Sequence, residues 1–210
     1  MDSIFFDTPE QQRDKIAREA ARLLQSGQAA DVRDALRRAI AHLGWQHRDD
    51  LSLPSLKRIR DHCRGIAMQA LGAEGYQQSI VAVWRTAEEL MTLLSEHGVT
   101  TLIGRAVRGQ IDAGVTVRIR IYTNMKIGEL ADLLVDYGYP DPAIVTADTK
   151  FGRFDRLEFD DDDTGLLVQI TRCPPSVRSQ VEGRNLFTRD PLDAVADLDA
   201  IRRLIESHTP

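Results

Sequence analysis

A short stretch of the chain concentrates arginines whose spacing suits the binding of an anion. Residues 101–125 contain four arginines and a single acidic residue, Asp112. Alternate residues of a strand point to the same side, so Arg118 and Arg120 are expected to project together. Guanidinium groups that converge in this way favour bidentate recognition of phosphate or carboxylate. The predicted anion-binding site comprises Gly104, Arg105, Arg108, Arg118 and Arg120.

A second interpretation gives the same arginines only a structural role. Arg118 and Arg120 alternate with apolar residues, as do the polar residues on the solvent face of an amphipathic strand. Exposed ion pairs across the sheet would then contribute ~0–1 kcal/mol each. Their expected partners are Asp155, Glu158 and Asp160. The residues alone leave both interpretations open.

Several other chemistries lack the residues that they need. The chain contains no Gly-x-Ser-x-Gly, no Gly-x-Gly-x-x-Gly and no His-Glu-x-x-His. Residues 104–109 have the glycine spacing of a phosphate-binding loop, but Gln110 stands where that loop requires lysine. The five histidines include no pair at helical spacing, and the acidic run 160–163 lacks the ligand pattern of a calcium loop. We therefore expect no cofactor or metal, and a solvated hairpin turn at 160–165.

Composition and charge narrow the class of protein further. The apolar fraction is 42% and the net charge is −5, which argues against non-specific coating of nucleic acid. No apolar run approaches the ~18 residues that cross a bilayer, and the first residues do not resemble a signal peptide. Cys63 and Cys173 form no Cys-x-x-Cys motif. These features predict a reduced, cytoplasmic protein that does not bind a membrane.

The first half of the chain has the spacing of helices. Apolar residues recur at helical intervals near residues 16–24, 32–43, 59–70 and 80–94. Pro54 is expected to open the third of these helices, and residues 72–75 to separate the third from the fourth, which ends at Gly98. Trp84 lies on an apolar helical face and is expected to pack in the core. Four helices are therefore predicted before residue 98.

After residue 98 the period changes to that of strands. Strands are predicted at 101–106, 115–122, 143–147, 153–159 and 166–171, with one helix at 127–137 and a last helix from near Asp190. The order is helices, then ββαβββ, then a loop and a helix. This order predicts an α+β protein with a helical bundle over residues 1–98 and a mixed-sheet domain with flanking helices over residues 99–210.

The spacing of glycines and arginines in this second domain resembles a known fold. In the nucleotidyltransferase superfamily, which has the polymerase-β-like fold, a hydrophobic strand leads to Gly-Ser or Gly-Gly, and a pair of carboxylates follows on the next strand. Here Gly104-Arg105 takes the Gly-Ser place, and twelve residues lead to Arg118. A later carboxylate of the family would correspond to Glu158.

Short motifs along most of the chain are also similar to a family of uncharacterised bacterial proteins with this fold. They are Ala-Ala-Arg-Leu at 20–23, Asp31-x-x-x-Ala35, Leu43-Gly44, Arg118-Ile-Arg-Ile-Tyr122 and Gln169-Ile-Thr-Arg-Cys-Pro-Pro175. The resemblance implies a nucleotidyltransferase-like domain behind a helical bundle.

The chain departs from the family where the metal ions would bind. Active members hold two Mg²⁺ ions with the paired carboxylates, whereas this chain has Arg118 and Arg120 there. Arginine cannot lose its proton in a protein, so this pair would repel the metal. We therefore expect a non-catalytic module that binds a nucleotide or phosphorylated ligand, or a partner's acidic side chain, and that acts in a homodimer or with a protein partner.

Two other functions remain open at the level of sequence. The first is an active Mg²⁺-dependent nucleotidyltransferase that uses displaced carboxylates; the candidates are Asp112, Asp155 and Glu158. The second is a DNA-binding regulator in which the second helix presents Arg33, Arg37 and Arg38. Nucleic acid is not favoured, because residues 1–100 carry 13 basic and 14 acidic side chains.

Three further features of the sequence bear on a site. Cys63 falls on an apolar helical stripe and is expected to be inert, and Cys173 has no nearby histidine to make it a nucleophile. Arginines also follow the last long strand, at positions 178, 184 and 189. Their position in a loop suits either the closing of a cleft or simple solvation.

Overall fold

The fold is known from a computed structural model that describes residues 7–29, 32–111, 115–192 and 194–209. Within those ranges the chain forms six α-helices and one six-stranded mixed sheet. The α+β class predicted from the sequence is therefore confirmed.

Two compact units divide the chain. One comprises the described residues as far as Tyr76, and the other begins at Gln77. The division falls ahead of residue 98, where the change of periodicity indicates a boundary. Each unit has buried side chains of its own.

The first unit is helical. It contains α1 (Pro9–Gln25), α2 (Val32–His42) and the first part of α3 (Leu56–Ser95). Thr8 caps α1 with a capping box that includes Gln11. Small side chains on α1 and α2 allow the two helices to approach closely, and the core consists of Ile16, Ala17, Ala20, Ala21, Leu23, Ala29, Ala35, Ala39, Ile59 and Cys63.

The long helix α3 is interrupted where the sequence predicts a break. Gly72 has φ 71° and ψ 171°, a conformation outside the helical region that glycine adopts without steric cost. The two helical segments predicted on either side of residues 72–75 are therefore present. The second of them carries Trp84, which is 3% exposed and donates from its indole Nε1 to the Ala106 carbonyl at 2.8 Å. Its predicted place in the core is confirmed.

The second unit contains the sheet. Its elements are β1 (Val99–Ile103), β2 (Thr116–Tyr122), α4 (Ile127–Asp136), β3 (Ala143–Thr149), β4 (Gly152–Asp160), β5 (Leu167–Cys173), α5 (Arg178–Val181), β6 (Val195–Ala196) and α6 (Leu198–His208). The strand order is β3-β4-β5-β2-β1-β6. The β2–β5 pair is parallel, and every other described pair is antiparallel. The predicted order ββαβββ is confirmed.

The two faces of the sheet differ in character. One face is apolar at the centre of the sheet, where these side chains are all buried: Leu102, Val117, Ile119, Ile121, Leu157, Phe159, Val168 and Ile170. The same face also carries Thr100, Asp155 and Arg172. The other face carries the alternate residues, among which polar and charged side chains predominate. We call this second surface the polar face.

Most of the elements predicted after residue 98 differ by one or two residues in their bounds, and two differ by more. The strand predicted at 101–106 ends at Ile103, because Gly104 takes φ 83° and starts a 3₁₀ turn over Arg105–Arg108. The last helix begins at Leu198, with Asp197 as its N-cap, and not near Asp190. Val195 and Ala196 have helical spacing with the residues that follow, but their backbone pairs with β1. The tertiary pairing overrides the local pattern.

Among the described residues, no helix combines the length and the apolar character that a membrane crossing requires.

Gly98, which precedes β1, offers a test of how closely the chain approaches Tyr122 at the end of β2. A Cβ at this position would lie 2.5 Å from the Tyr122 carbonyl oxygen, so Gly98→Ala forces the backbone to shift. We expect a loss of ~1–3 kcal/mol in the free energy of unfolding, measured by urea denaturation. Gly128→Ala in α4 is the matched control, because its Cβ meets no atom within 4 Å and alanine favours a helix. Equal stability of the two variants would contradict the close approach.

Candidate functional site

The polar face owes its arrangement to strand register. Arg118 on β2 lies opposite Gln169 on β5, and Gln169 lies opposite Glu158 on β4. One step along the strands, Arg120 lies opposite Thr171, and Thr171 lies opposite Arg156. Paired residues of neighbouring strands project to the same side. The register therefore gathers three arginines, two neutral polar residues and one glutamate.

A cleft of about 380 Å³ opens over these residues. Its lining residues are Ile103, Gly104, Arg118, Arg120, Arg156, Gln169, Thr171, Asn185, Leu186, Phe187 and Leu192. We call it the arginine cleft. None of the described residues that line it is acidic, although Glu158 contacts two of them, Arg156 and Gln169.

Arg118 lies at the exposed side of the arginine cleft. Its Nε donates to Gln169 Oε1 at 3.1 Å, and Gln169 Nε2 donates to Glu158 Oε1 at 2.9 Å. Surrounding protein atoms desolvate the guanidinium and lower its pKa, as do the positive charges of Arg105 and Arg156, against the opposing charge of Glu158. Desolvation and nearby positive charges both disfavour the charged guanidinium, and a bound anion would offset both effects.

Arg120 occupies the opposite environment. It is 3% exposed, and its Nη1 donates to the Val181 carbonyl at 2.9 Å. Its Nε has no hydrogen-bond partner, and neither does the buried Nε of Arg156. A buried donor without an acceptor costs roughly 1–3 kcal/mol. The site therefore holds two guanidinium donors that the described protein atoms leave unsatisfied.

The loop segment after β5 buries Arg120. A small apolar cluster joins Tyr122, Phe154 and Cys173 of the sheet to Val181 and Leu186 of this segment. The cluster holds residues 177–186 against part of the polar face, and Leu186 of the cluster also lines the arginine cleft. This contact explains why Arg120 is buried while Arg118, two residues away, is exposed.

The predicted anion-site residues do not all lie in the cleft. Gly104, Arg118 and Arg120 line it. Arg105 acts on Arg118 through its charge but does not line the cleft, and Arg108 is exposed on the 3₁₀ turn. The second interpretation, that both strand arginines face solvent, is wrong for Arg120 because the loop segment covers it.

The three candidate carboxylates do not form a group. Glu158 is bound by Arg156 Nη2 at 2.5 Å as well as by Gln169. Asp155 alternates with Arg156 and so projects from the other side of β4, where it accepts a hydrogen bond from Thr146 at 2.8 Å. Asp112 lies outside the described residues. The two carboxylates that the structure describes therefore lie on opposite faces of one strand.

Sequence reasoning missed most of the cleft. Arg156, Thr171, Asn185, Leu186 and Phe187 were not among the predicted site residues. A signal existed in β5, where Gln169 and Thr171 alternate with buried Val168 and Ile170. This alternation did not place Gln169 and Thr171 in the site, because only the strand pairing shows that β5 lies beside β2.

The basic residues of α2 are largely neutralised within their own helix. Arg37 contacts Asp34 at 2.6 Å and Arg38 contacts it at 2.9 Å. The acidic partner lies three and four residues earlier on the same helix face. This pairing weakens the electrostatic basis of the DNA-binding alternative.

Metal ligands are not clustered in the part of the chain that the structure describes. No three histidine, cysteine or acidic side chains come together there. Hydrogen bonds form within the acidic hairpin turn. Asp161 is only 8% exposed and accepts hydrogen bonds from the backbone N–H and the hydroxyl of Thr164. The expectation of a fully solvated turn is therefore wrong at Asp161.

These features define an α+β protein with an arginine-lined cleft on one face of its sheet. In comparisons with known proteins, no family model, no curated protein and no solved structure matches the chain. The interpretation of the cleft therefore depends on its own chemistry.

The two cysteines provide a test of the packing behind the cleft. Cys173 is fully buried, and burial raises the pKa of its thiol to about 11, against the smaller opposing effects of Arg120 and Arg172. Cys63 is 1% exposed. We expect both thiols to resist iodoacetamide in the native protein at pH 8 and to react in denaturant, as counted by mass spectrometry. Rapid alkylation of native Cys173 would contradict this packing.

Arg120→Met tests whether Arg120 serves stability or function. Methionine keeps much of the side-chain volume and removes a buried charge with an unsatisfied donor, but it also removes the donor to the Val181 carbonyl. These effects oppose each other, so we expect the free energy of unfolding to change by no more than about 1 kcal/mol. Ile119→Ala on the apolar face is the comparison and should lose ~2–5 kcal/mol. A similar loss for Arg120→Met would assign Arg120 a structural role.

Proposed function

We propose that this chain is a non-catalytic binding module whose arginine cleft holds a phosphate-bearing anion. The observation that carries the proposal is Arg120, a guanidinium that is 3% exposed, lines the cleft and has an unsatisfied Nε. A buried arginine with no carboxylate partner is costly in the free protein. An anionic ligand supplies both the missing acceptor and the missing charge.

The donors around the cleft suit the oxygens of a phosphate. Arg118, Arg120 and Arg156 present planar guanidiniums, which bind phosphate through paired hydrogen bonds. Gln169 and Asn185 add amide groups at the same cleft. Since Glu158 is the one described acid beside three arginines, the local charge remains positive when Arg156 is paired with it.

The same chemistry argues against metal-dependent group transfer in the cleft. Two-metal catalysis needs carboxylates that converge on a shared pair of cations. Glu158 is bonded to Arg156 and Gln169, and Asp155 projects from the other side of the strand. A magnesium ion at Arg118 and Arg120 would meet guanidiniums, which have no acceptor to offer.

We extend the proposal to the ancestry of the sheet unit, as a catalytically degenerate nucleotidyltransferase-like domain. Its support is the turn at Gly104, which follows a strand, and the neighbouring strand that carries Arg118 and Arg120 side by side. Replacement of two carboxylates by arginines at such positions converts a cation site into an anion site. A phosphate group of the former substrate is then the simplest ligand to retain.

The test is a thermal-shift and calorimetric titration with pyrophosphate and the four nucleoside triphosphates, each with and without Mg²⁺. At a hundred times its dissociation constant, a bound ligand should stabilise the protein by ~2.7 kcal/mol. We expect stabilisation that does not need Mg²⁺, because arginines take the place of the metal. Stabilisation that strictly requires Mg²⁺, or incorporation of labelled nucleotide, would overturn the non-catalytic proposal.

Matched variants locate the site. Arg118→Met and Arg120→Met should each weaken pyrophosphate binding at least tenfold, since each removes a charge-assisted contact. Arg153→Met is the control, because Arg153 is exposed on β4 and paired with Asp148 away from the cleft lining. Equal affinity in all three variants would remove the arginine cleft as the site.

A further inference from the structure

A second basic pocket lies beside the loop that borders the arginine cleft. It has a volume of about 600 Å³ and is lined by Lys150, Phe151, Ser179, Gln180, Arg184 and Arg189. We call it the loop pocket. No described carboxylate forms an ion pair with its three cationic side chains, whereas several other arginines at the surface of the chain have one.

One loop contributes to both pockets. Residues 184–191 leave α5 and return to a bridge between Arg184 and Pro191. Asn185, Leu186 and Phe187 line the arginine cleft, and Arg184 and Arg189 line the loop pocket. A ligand that enters both pockets must therefore pass over this loop.

Hydrogen bonds hold the loop in one conformation. The Asn185 N–H donates to the Asp190 carbonyl at 2.7 Å, and the Arg189 N–H donates to the Asn185 carbonyl at 2.9 Å. The side-chain oxygen of Asn185 accepts from the backbone of Phe187 at 2.9 Å. This Asx-type bonding makes a compact turn with Phe187 near its tip.

Arg189 is held in an unfavourable backbone conformation. Its φ is 69°, a value that non-glycine residues rarely adopt. The guanidinium Nη2 donates to the Lys150 carbonyl at 2.9 Å, and the group lies 5.5 Å from the centre of the Phe151 ring. These contacts fix the position of a positive charge in the loop pocket at the expense of backbone strain.

Phe187 is exposed where its neighbour is buried. Leu186 is 6% exposed and belongs to the apolar cluster behind the cleft, whereas Phe187 is 52% exposed and lines the cleft. A rigid turn thus presents an aromatic ring to solvent beside two basic pockets. Positive charge next to exposed aromatic rings is the arrangement that binds phosphates and stacks bases in single-stranded nucleic acid.

We propose that the two pockets bind the two phosphates of a nucleoside 3′,5′-bisphosphate unit, with the base stacked on Phe187. The inference rests on the proposed function, because the first phosphate occupies the arginine cleft. The second phosphate occupies the loop pocket. A ligand whose phosphates all lie on one side of the nucleoside fills only one of the two pockets, so the bisphosphate unit is preferred.

The experiment compares three small ligands by isothermal titration calorimetry: adenosine 5′-monophosphate, adenosine 3′-monophosphate and adenosine 3′,5′-bisphosphate. We expect the bisphosphate to bind at least about tenfold more tightly than either monophosphate, because the second phosphate binds as part of the same molecule. Lys150→Met and Arg184→Met should abolish this advantage and leave the affinity for one of the monophosphates unchanged. Arg203→Met on α6 is the control for a change of net charge.

The ring of Phe187 is tested separately. Phe187→Leu keeps an apolar side chain on the turn but removes the stacking surface. We expect affinity for all three nucleotides to fall by about fivefold to a hundredfold, while affinity for pyrophosphate stays the same. Unchanged nucleotide affinity in this variant would overturn the stacking part of the proposal.

Failure of this inference differs from failure of the proposed function. If the monophosphates bind with an affinity that depends on Arg118, but the bisphosphate binds no more tightly than they do, the two-pocket inference is overturned. The proposal that the arginine cleft binds a phosphate is then retained. If no phosphate compound binds, both are overturned. If the bisphosphate is preferred, a single-stranded oligonucleotide of six adenylates shows whether the natural ligand is a nucleic acid or a small molecule. Tighter binding of the oligonucleotide than of the free bisphosphate indicates a nucleic acid, and equal binding indicates a small molecule.

Discussion

Strand β2 is the element on which the rest of the sheet unit depends. It lies between β1 and β5, with an antiparallel neighbour on one side and a parallel neighbour on the other. Its alternate residues Val117, Ile119 and Ile121 must be buried, because they supply the centre of the apolar face. That requirement sends Arg118, Arg120 and Tyr122 to the opposite face, and a slip of one residue would place the arginines in the apolar core and move the apolar side chains out of it.

The segment that follows β5 turns this face into a site. Val181 and Leu186 cover part of it, so Arg120 loses contact with solvent while its Nη1 donates to the Val181 carbonyl. The desolvated guanidinium is a local source of instability, which the well-packed apolar face offsets. Such an arrangement is typical of functional sites, where groups that await a ligand are held in position by the surrounding fold.

The three arginines of the polar face differ in how they are linked to Glu158. Glu158 is bonded to both Arg156 and Gln169, and Gln169 in turn accepts from Arg118. Glu158 therefore orients two arginines, one directly and one through an amide, without neutralising the third. Desolvation lowers the pKa of Arg118, and the positive charges of Arg105 and Arg156 lower it further. This balance favours an incoming anion and disfavours a cation.

How much of this was visible in the sequence differs from element to element. Periodicity and the glycines of residues 72–75 predicted the longer helices, the break between two of them, the succession of the five longer strands along the chain and the shared side of Arg118 and Arg120, because all of these depend on neighbours a few residues apart. Tertiary structure decided the rest. Arg156 and Gln169 joined the site only because β4 and β5 pair next to β2, and Val195 became a strand residue only because β1 has a free edge for it.

The burial of Arg120 and the exposure of Phe187 depend on a loop packed across the sheet from 60 or more residues away along the chain. Contacts between such distant residues leave no local period in the sequence, so only the folded chain reveals them.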